Sequence, residues 1–241
     1  MPSSSPPPAS AGPEPAVPRF RHEALAAVFR VSETARGPAL TVLGWQRSRD
    51  PYAGAWSVPS GPVGAEETIG AAVARHLAAK VELREIAHLE QLETRSEPGR
   101  DPFDRTIATA YLGLVPVTAD PVLPPNAAWL DLAELPAMAF DHESVITSAR
   151  DRLRSKLSYA NLGFALAPDE FTISGLREIY RAALGHDVSA TNLQRVLERR
   201  GQLEATGRTA PASVAGGRPA RLFRFTRREL QITDPFAALR P

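Results

Sequence analysis

Residues 56–83, WSVPSGPVGAEETIGAAVARHLAAKVEL, constrain the fold more than any other stretch. A short apolar run, 56–58, enters a Pro59-Ser60-Gly61 turn and then a helix expected over 66–80. Ile69, Ala72, Val73 and Leu77 recur at helical spacing, so one face is expected to pack on a sheet. Glu66 and Glu67 stand at the expected helix start, where carboxylates complement the helix dipole.

The 241 residues are 43% hydrophobic and 23% charged, enough for two modest domains with real cores. The absence of cysteine excludes disulfides, Cys-ligated zinc and thiol catalysis. No apolar run reaches about 18 residues, so no membrane span is expected. The N-terminus has no basic patch followed by an apolar core, so no signal peptide is expected and the cytoplasm is the expected compartment. Net charge is +1, but residues 1–147 hold 12 Lys and Arg against 18 Asp and Glu, whereas 148–241 hold 16 against 9. An acidic front (−6) and a basic back (+7) point to two modules with different partners. The basic one suits a polyanion, although charge alone fits self-solvating Arg-rich helices equally well.

Residues 1–18 are rich in Pro, Ser and Ala and are expected to be disordered, with order beginning near Phe20. Strands are expected at 23–31 and 38–46 around a turn at 35–37, followed by a polar loop, 47–54. Two more strands, 86–94 and 105–116, flank a polar loop at 95–104, and a short strand lies at 129–131. A helix is expected over 143–159, with Val145, Ile146, Ala149, Leu153 and Leu157 as its buried stripe.

The 56–83 stretch resembles a Nudix box. Gly61, Glu67, Arg75, Leu77 and Leu83 fall in register with that family's pattern, while His76, Ala79, Lys80 and Glu82 replace a Glu, the paired Glu positions and the closing Gly. The resemblance implies a frame that in active relatives holds Mg²⁺ or Mn²⁺ through glutamates and cleaves pyrophosphates. Hard cations need several oxygen ligands; Ala79 offers none and Lys80 brings a positive charge. We therefore expect a nucleotide-diphosphate site with no catalytic residue and no metal ligand. Glu67 reads equally as a helix-start residue and a remnant ligand. Arg75 is expected to pair Glu66, Glu67 or a ligand phosphate. His76 is expected at the surface or in an ion pair, and His142, beside Asp141, at a helix cap.

The strand LEQL, the loop GRDP and the strand TIATAYL are similar to ADP-ribose-type Nudix proteins. That resemblance makes Arg47, Glu67, Arg75, Arg100, Asp101 and Arg105 the candidate ligand-binding residues. Arg suits bidentate phosphate contacts and Asp suits ribose hydroxyls. A solvated hairpin loop with internal ion pairs is the alternative for 95–104.

Residues 166–225 read as a winged helix-turn-helix. Thr172 or Ser174 can cap a helix with Leu176, Ile179, Tyr180, Ala183 and Leu184 on one stripe, stopped by Gly185. Ser189 can cap a second helix, 190–200, burying Leu193, Val196 and Leu197. Its polar residues, Thr191, Asn192, Gln194, Arg195 and Arg199, suit base edges and phosphates. Strands at 202–206 and 221–226 would form a wing carrying Arg218 and Arg221, with Gly216 and Gly217 at its tip. A bundle used only for dimerisation is the alternative.

An eroded Nudix domain followed by FDHESVITSARDRLRSKLSY, FTISGLREIY and GRPARLFRF resembles the Nudix-related transcriptional regulators of bacterial NAD metabolism over residues 20–228. The resemblance implies an α+β chain. An α/β/α Nudix-like sandwich with a mixed sheet would occupy 19–160, a winged helix 161–230 and a tail 231–241. It further implies a homodimeric repressor of NAD biosynthesis or salvage genes on a palindromic double-stranded operator. ADP-ribose or another NAD-related nucleotide would be its effector, with no cofactor required. Two rival readings are a Nudix pyrophosphatase using relocated carboxylates (Glu66, Glu67, Glu82, Glu85 or Glu143) and an interaction protein that docks an acidic partner.

Overall fold

The computed structural model describes residues 18–211 and 219–234. Of the expected disordered segment 1–18, all but Pro18 lies outside the described residues, as does Arg218 with the wing tip.

The fold is built on β1 (Arg21–Thr34), the central strand of a mixed sheet. It pairs antiparallel with β2 (Gly37–Gln46) and parallel with β6 (Thr106–Leu114). β5 (His88–Arg95) lies outside β6, and β7 (Ala127–Asp131) outside β2. β3 (Trp56–Ser57) joins the end of β2, and β4 (Ser60–Pro62) joins the start of β1. β1 is buried on both faces because helices cover both, so it reads as a continuous apolar run rather than an alternation. Ala24, Ala26 and Val28 face α1 (Ile69–Val81), where Ala72, Val73, Leu77 and Val81 meet them. Leu25, Ala27 and Phe29 face α2 (His142–Tyr159), whose Val145, Ile146, Ala149, Leu153 and Leu157 form the expected stripe. Truncating Leu153, which is fully buried, to Ala would cost roughly 2–5 kcal/mol.

α1 begins at Ile69 rather than 66. The Thr68 hydroxyl takes the Ala71 N–H and fixes the start there, while Glu67 remains in the preceding turn. At the other end Glu82 adopts a left-handed conformation (φ 55°), the place where the family pattern has glycine.

The second domain contains α3 (Ile173–Leu184), α4 (Ala190–Arg199) and the hairpin β8 (Leu203–Thr209) and β9 (Arg221–Phe225). Thr172, not Ser174, caps α3; Gly185 (φ 77°) ends it; Ser189 caps α4. The Arg177 guanidinium pins the turn between the helices through the Val188 carbonyl and Asp187. Leu162, Phe164 and Leu166 belong to the same hydrophobic cluster as β1, α2, Leu176, Leu197 and Phe223. The sandwich and the winged helix therefore share one continuous core. Residues 231–234, expected as part of a tail, run back to the end of α2: the Asn161 side chain, 2% exposed, holds the backbone of Arg227, Glu229 and Gln231. Among the described residues no helix is long and apolar enough to cross a membrane.

Candidate effector pocket and nucleic-acid interface

The strand–turn–helix unit, the loop after β2 and the 101–104 segment enclose a cavity of about 470 Å³, a size typical of small-molecule sites. Lys80, from the last turn of α1, enters it. Its ammonium donates to the Ser60 carbonyl and lies 4.1 Å from the centroid of the Trp45 ring. Burial, with Arg47 and Arg21 nearby, brings its pKa down to about 8 against the favourable field of Glu23. Arg47 stacks its guanidinium 4.6 Å from the centre of Phe140 and donates Nε–H to the Pro51 carbonyl at 2.8 Å. Phe140 holds a positive φ of 54°, a strained conformation that sets its ring beneath Arg47. Trp45 and Phe140 were missed as pocket residues; an aromatic at a strand end and another before a helix start were the available signals.

The other candidate ligand residues divide. Asp101 lines the cavity, with one carboxylate oxygen accepting the Phe103 N–H. Glu67 and Arg75 do not line it; they grip each other at the turn before α1. Arg75 also donates to the Pro62 carbonyl at 3.0 Å, and the Gly64 N–H reaches Glu67 at 2.7 Å. The Arg75 hydrogen bonds, then that of Gly64, hold the Glu67 carboxyl down at about 2. Arg100 lies outside the cavity, its side chain 3% exposed and paired with Asp141. Arg105 stacks on Phe20 instead. Of the six candidate ligand residues, only Arg47 and Asp101 line the cavity.

Both histidines depart from expectation. His76 is buried, not at the surface: its ring lies under Gly61, and Nε2–H donates to the Pro62 carbonyl at 3.0 Å. Burial pushes its pKa down. His142 does not cap α2. It is the first residue of the helix, 1% exposed, and its Nδ1 accepts the Val58 N–H at 3.2 Å, so the ring is held neutral with the proton on Nε2. Burial takes its pKa to about 3. Asp141 occupies the cap position without a side-chain cap bond because Arg100 takes its carboxylate.

The relocated carboxylates invoked for hydrolysis do not meet in the cavity. Glu66, Glu67, Glu82, Glu85 and Glu143 are all absent from its walls, and Glu82 and Glu85 border a separate cleft of about 270 Å³ beside Asp120. Glu82 sits at the C-terminal cap of α1.

On α4, Thr191, Asn192, Arg195 and Arg199 are exposed, opposite the buried Leu193 and Leu197. Arg195 donates to the Asn192 amide oxygen at 2.7 Å, and Gln194, half-buried, donates to Glu198 at 2.9 Å. Arg221 is exposed at the start of β9. The expected second helix ends one residue early. Arg200 instead donates to the Ser158 carbonyl at 2.8 Å and pairs with Asp234 at 2.9 Å, tying the end of α4 to the end of α2.

Comparison with known proteins agrees with this architecture. The family model for the NUDIX domain matches residues 21–149, and that for the NrtR DNA-binding winged helix domain matches residues 163–225. The chain is 29% identical over 203 residues, 81% of its own length and 80% of the relative's, to the ADPR responsive transcriptional repressor NtrR of Acinetobacter baylyi. It superposes on Shewanella oneidensis NrtR complexed with a 27mer DNA at a TM-score of 0.72 and 29% identity, covering 85% of this chain and 93% of that one. A MutT/nudix family protein from Enterococcus faecalis, at 20% identity and a TM-score of 0.70 over 87% of this chain and 89% of that one, shares the fold. The chain belongs to the Nudix family, its Nudix domain followed by a winged helix of the NrtR DNA-binding type.

Proposed function

We propose that this protein is a cytoplasmic transcriptional repressor of NAD biosynthesis or salvage genes, and that ADP-ribose or a related nucleotide in the Nudix pocket changes its affinity for DNA. The observation that carries this reading is the exposed polar face of α4, on a helix-turn-helix capped at both helices and continuous with the core of the effector domain. Thr191, Asn192, Gln194, Arg195 and Arg199 would enter the major groove, and Arg221 with Arg218 would meet the backbone or minor groove. Two copies would engage the half-sites of a palindrome, since a two-fold dimer presents two α4 helices. The likeness to a repressor named as ADPR responsive supports the choice of effector.

The Nudix domain acts here as a binding module. The Nudix-box positions supply no divalent-cation site, since Ala79 has no ligand atom, Lys80 is a cation and Glu67 is held by Arg75 and Gly64, and the acids on the cavity walls form no metal-holding cluster among the described residues. We therefore read a nucleotide bound in the pocket as an effector rather than a substrate. It would act through Arg47 and Asp101, the first on phosphate and the second on ribose hydroxyls. Any change in DNA affinity must equal the ligand's difference in affinity between the two arrangements of the dimer.

The test is fluorescence anisotropy of the full chain on its own upstream DNA and on a scrambled duplex, with and without ADP-ribose. Selective binding that ADP-ribose weakens is expected. Equal affinity for both duplexes would overturn the reading and favour docking of the basic module on an acidic protein.

A further inference from the structure

Lys80 and Arg47 line the same cavity, yet their bonding partners are carbonyls and aromatic faces: Ser60 and Trp45 for Lys80, Pro51 and Phe140 for Arg47. Neither has a carboxylate within ion-pair distance among the described residues. Three of the four acids on the cavity walls are engaged elsewhere. Glu23, whose field favours the Lys80 charge, pairs with Arg21 at 2.7 Å; Asp104 lies 3.7 Å from Arg21; Asp101 is turned to the Phe103 N–H. Asp50 and Arg49 complete the charged groups on the walls.

A partly buried cation without a counter-charge is costly, and the two cations also repel each other, as the downward pull of Arg47 on Lys80 records. Both retain donors. An ammonium has three N–H groups and a guanidinium five, so the carbonyl bonds leave several free. An anion in the cavity would offset that cost and gain charge-assisted hydrogen bonds from both. Lys80 also stands where the Nudix pattern has a metal-binding glutamate, so its ammonium brings positive charge directly in place of a cation-binding group.

We propose that Lys80 and Arg47 form a metal-free diphosphate clamp, by which the pocket binds the diphosphate of a nucleotide without a divalent cation. The proposal rests on the effector reading of this same pocket and names the chemistry that reading requires. No bond is cleaved. The Trp45 and Phe140 faces orient the two cations, which limits the ordering cost on binding.

Calorimetric titration of the full chain with ADP-ribose, and separately with inorganic pyrophosphate, tests it in excess EDTA and in excess Mg²⁺. Binding in EDTA at least as tight as in Mg²⁺ is expected for both ligands, since Mg²⁺ competes for the diphosphate in solution. Lys80→Gln and Arg47→Gln should each weaken both ligands by roughly tenfold or more, and Lys80→Arg should retain most of the affinity. Thermal melts establish that each variant is folded, and Lys80→Arg keeps the test valid if Lys80→Gln is not. Loss of binding in EDTA, or unchanged affinity in the folded Gln variants, overturns the clamp even where ADP-ribose binds and the effector reading stands. Binding of pyrophosphate but not ADP-ribose, with the same dependence on Lys80, supports the clamp and overturns the choice of effector. Binding of neither ligand by the wild-type chain overturns both.

Discussion

Arg100 donates to both carboxylate oxygens of Asp141, Nη2 to Oδ1 at 2.7 Å and Nε to Oδ2 at 3.3 Å. The pair joins the loop between β5 and β6 to the cap position just before α2, the helix whose far end is bound to α4 through Arg200 and Ser158. Burial alone would push the Asp141 pKa up, but the Arg100 hydrogen bonds and charge hold it below the usual carboxylate range. Asp141→Ala leaves a nearly buried guanidinium without its partner and should destabilise the fold by roughly 2–4 kcal/mol. Urea unfolding measures the loss. An unchanged midpoint would mean that water replaces the carboxylate at no cost.

Gly61 is required by His76 rather than by its own backbone freedom. A Cβ at position 61 would lie 2.2 Å from His76 Cε1. Gly61→Ala should therefore destabilise by roughly 1–3 kcal/mol, and His76→Ala in the same chain should recover part of it by opening space. Thermal melts of the two single variants and the double variant give the coupling. Simple additivity of the two would place the ring elsewhere.

Acid should weaken the fold in two stages. His142 has a folded pKa of about 3 against an ordinary 6.5, so the native state resists its protonation and the unfolded chain does not. Its contribution is complete above pH 6.5 and is lost progressively as pH falls toward 3. Glu90, desolvated but held at about 2 by His88 and Lys156, adds a second loss below its ordinary 4.5. Melting temperatures measured from pH 7.5 to 5 should fall, and His142→Asn, whose amide oxygen can still accept the Val58 N–H, should flatten that stage. An equally steep profile in the variant would assign the effect to another group.

Arg195→Ala and Arg199→Ala should weaken operator binding by about tenfold each, at little cost to stability, because both side chains are exposed on α4. A phosphate contact would lower the salt slope by about 1, and a base contact would relax selectivity at one position. Anisotropy across a salt series separates the two. Full affinity in both variants would move recognition away from α4.

Asn161→Ala should release residues 227–234 from the end of α2. The amide makes three hydrogen bonds to the backbone of that segment, donating to Arg227 and Glu229 and accepting from Gln231. Leaving those groups without their partner should cost about 1–3 kcal/mol. Limited proteolysis should then cut near 227–234 sooner than in the wild type. Equal cutting rates would show that Thr233 and Asp234, which donate to the Tyr159 carbonyl, suffice to hold it.

Much of the architecture was legible because it is written in local periodicity. Ala72, Val73 and Leu77 on α1, the stripe from Val145 to Leu157 on α2, and the Gly185 stop and Ser189 cap each depend on residues within a few turns of one another, whereas the choice of Thr172 over Ser174 came from the structure. The helix start at Ile69 was misplaced because Glu67 has two acceptable local roles, and only its bonds to Arg75 and Gly64 choose between them. The candidate ligand residues suffered the same limit. Arg47 and Arg100 look alike as arginines in polar loops, but one stacks on Phe140 at the cavity wall and the other is buried against Asp141.

The sequence by itself determined the order and type of the elements, the division into an acidic front and a basic back, and the loss of oxygen ligands at Ala79 and Lys80. Each is a property of neighbouring residues or of composition. Only the tertiary structure decided that β1, α2 and α3 share one core, that His76 and His142 are buried and hydrogen-bonded to backbone, and that Lys80 and Arg47 face one cavity. Those outcomes depend on which distant groups compete for each charge and each backbone hydrogen bond, and that competition is settled only when the chain has folded.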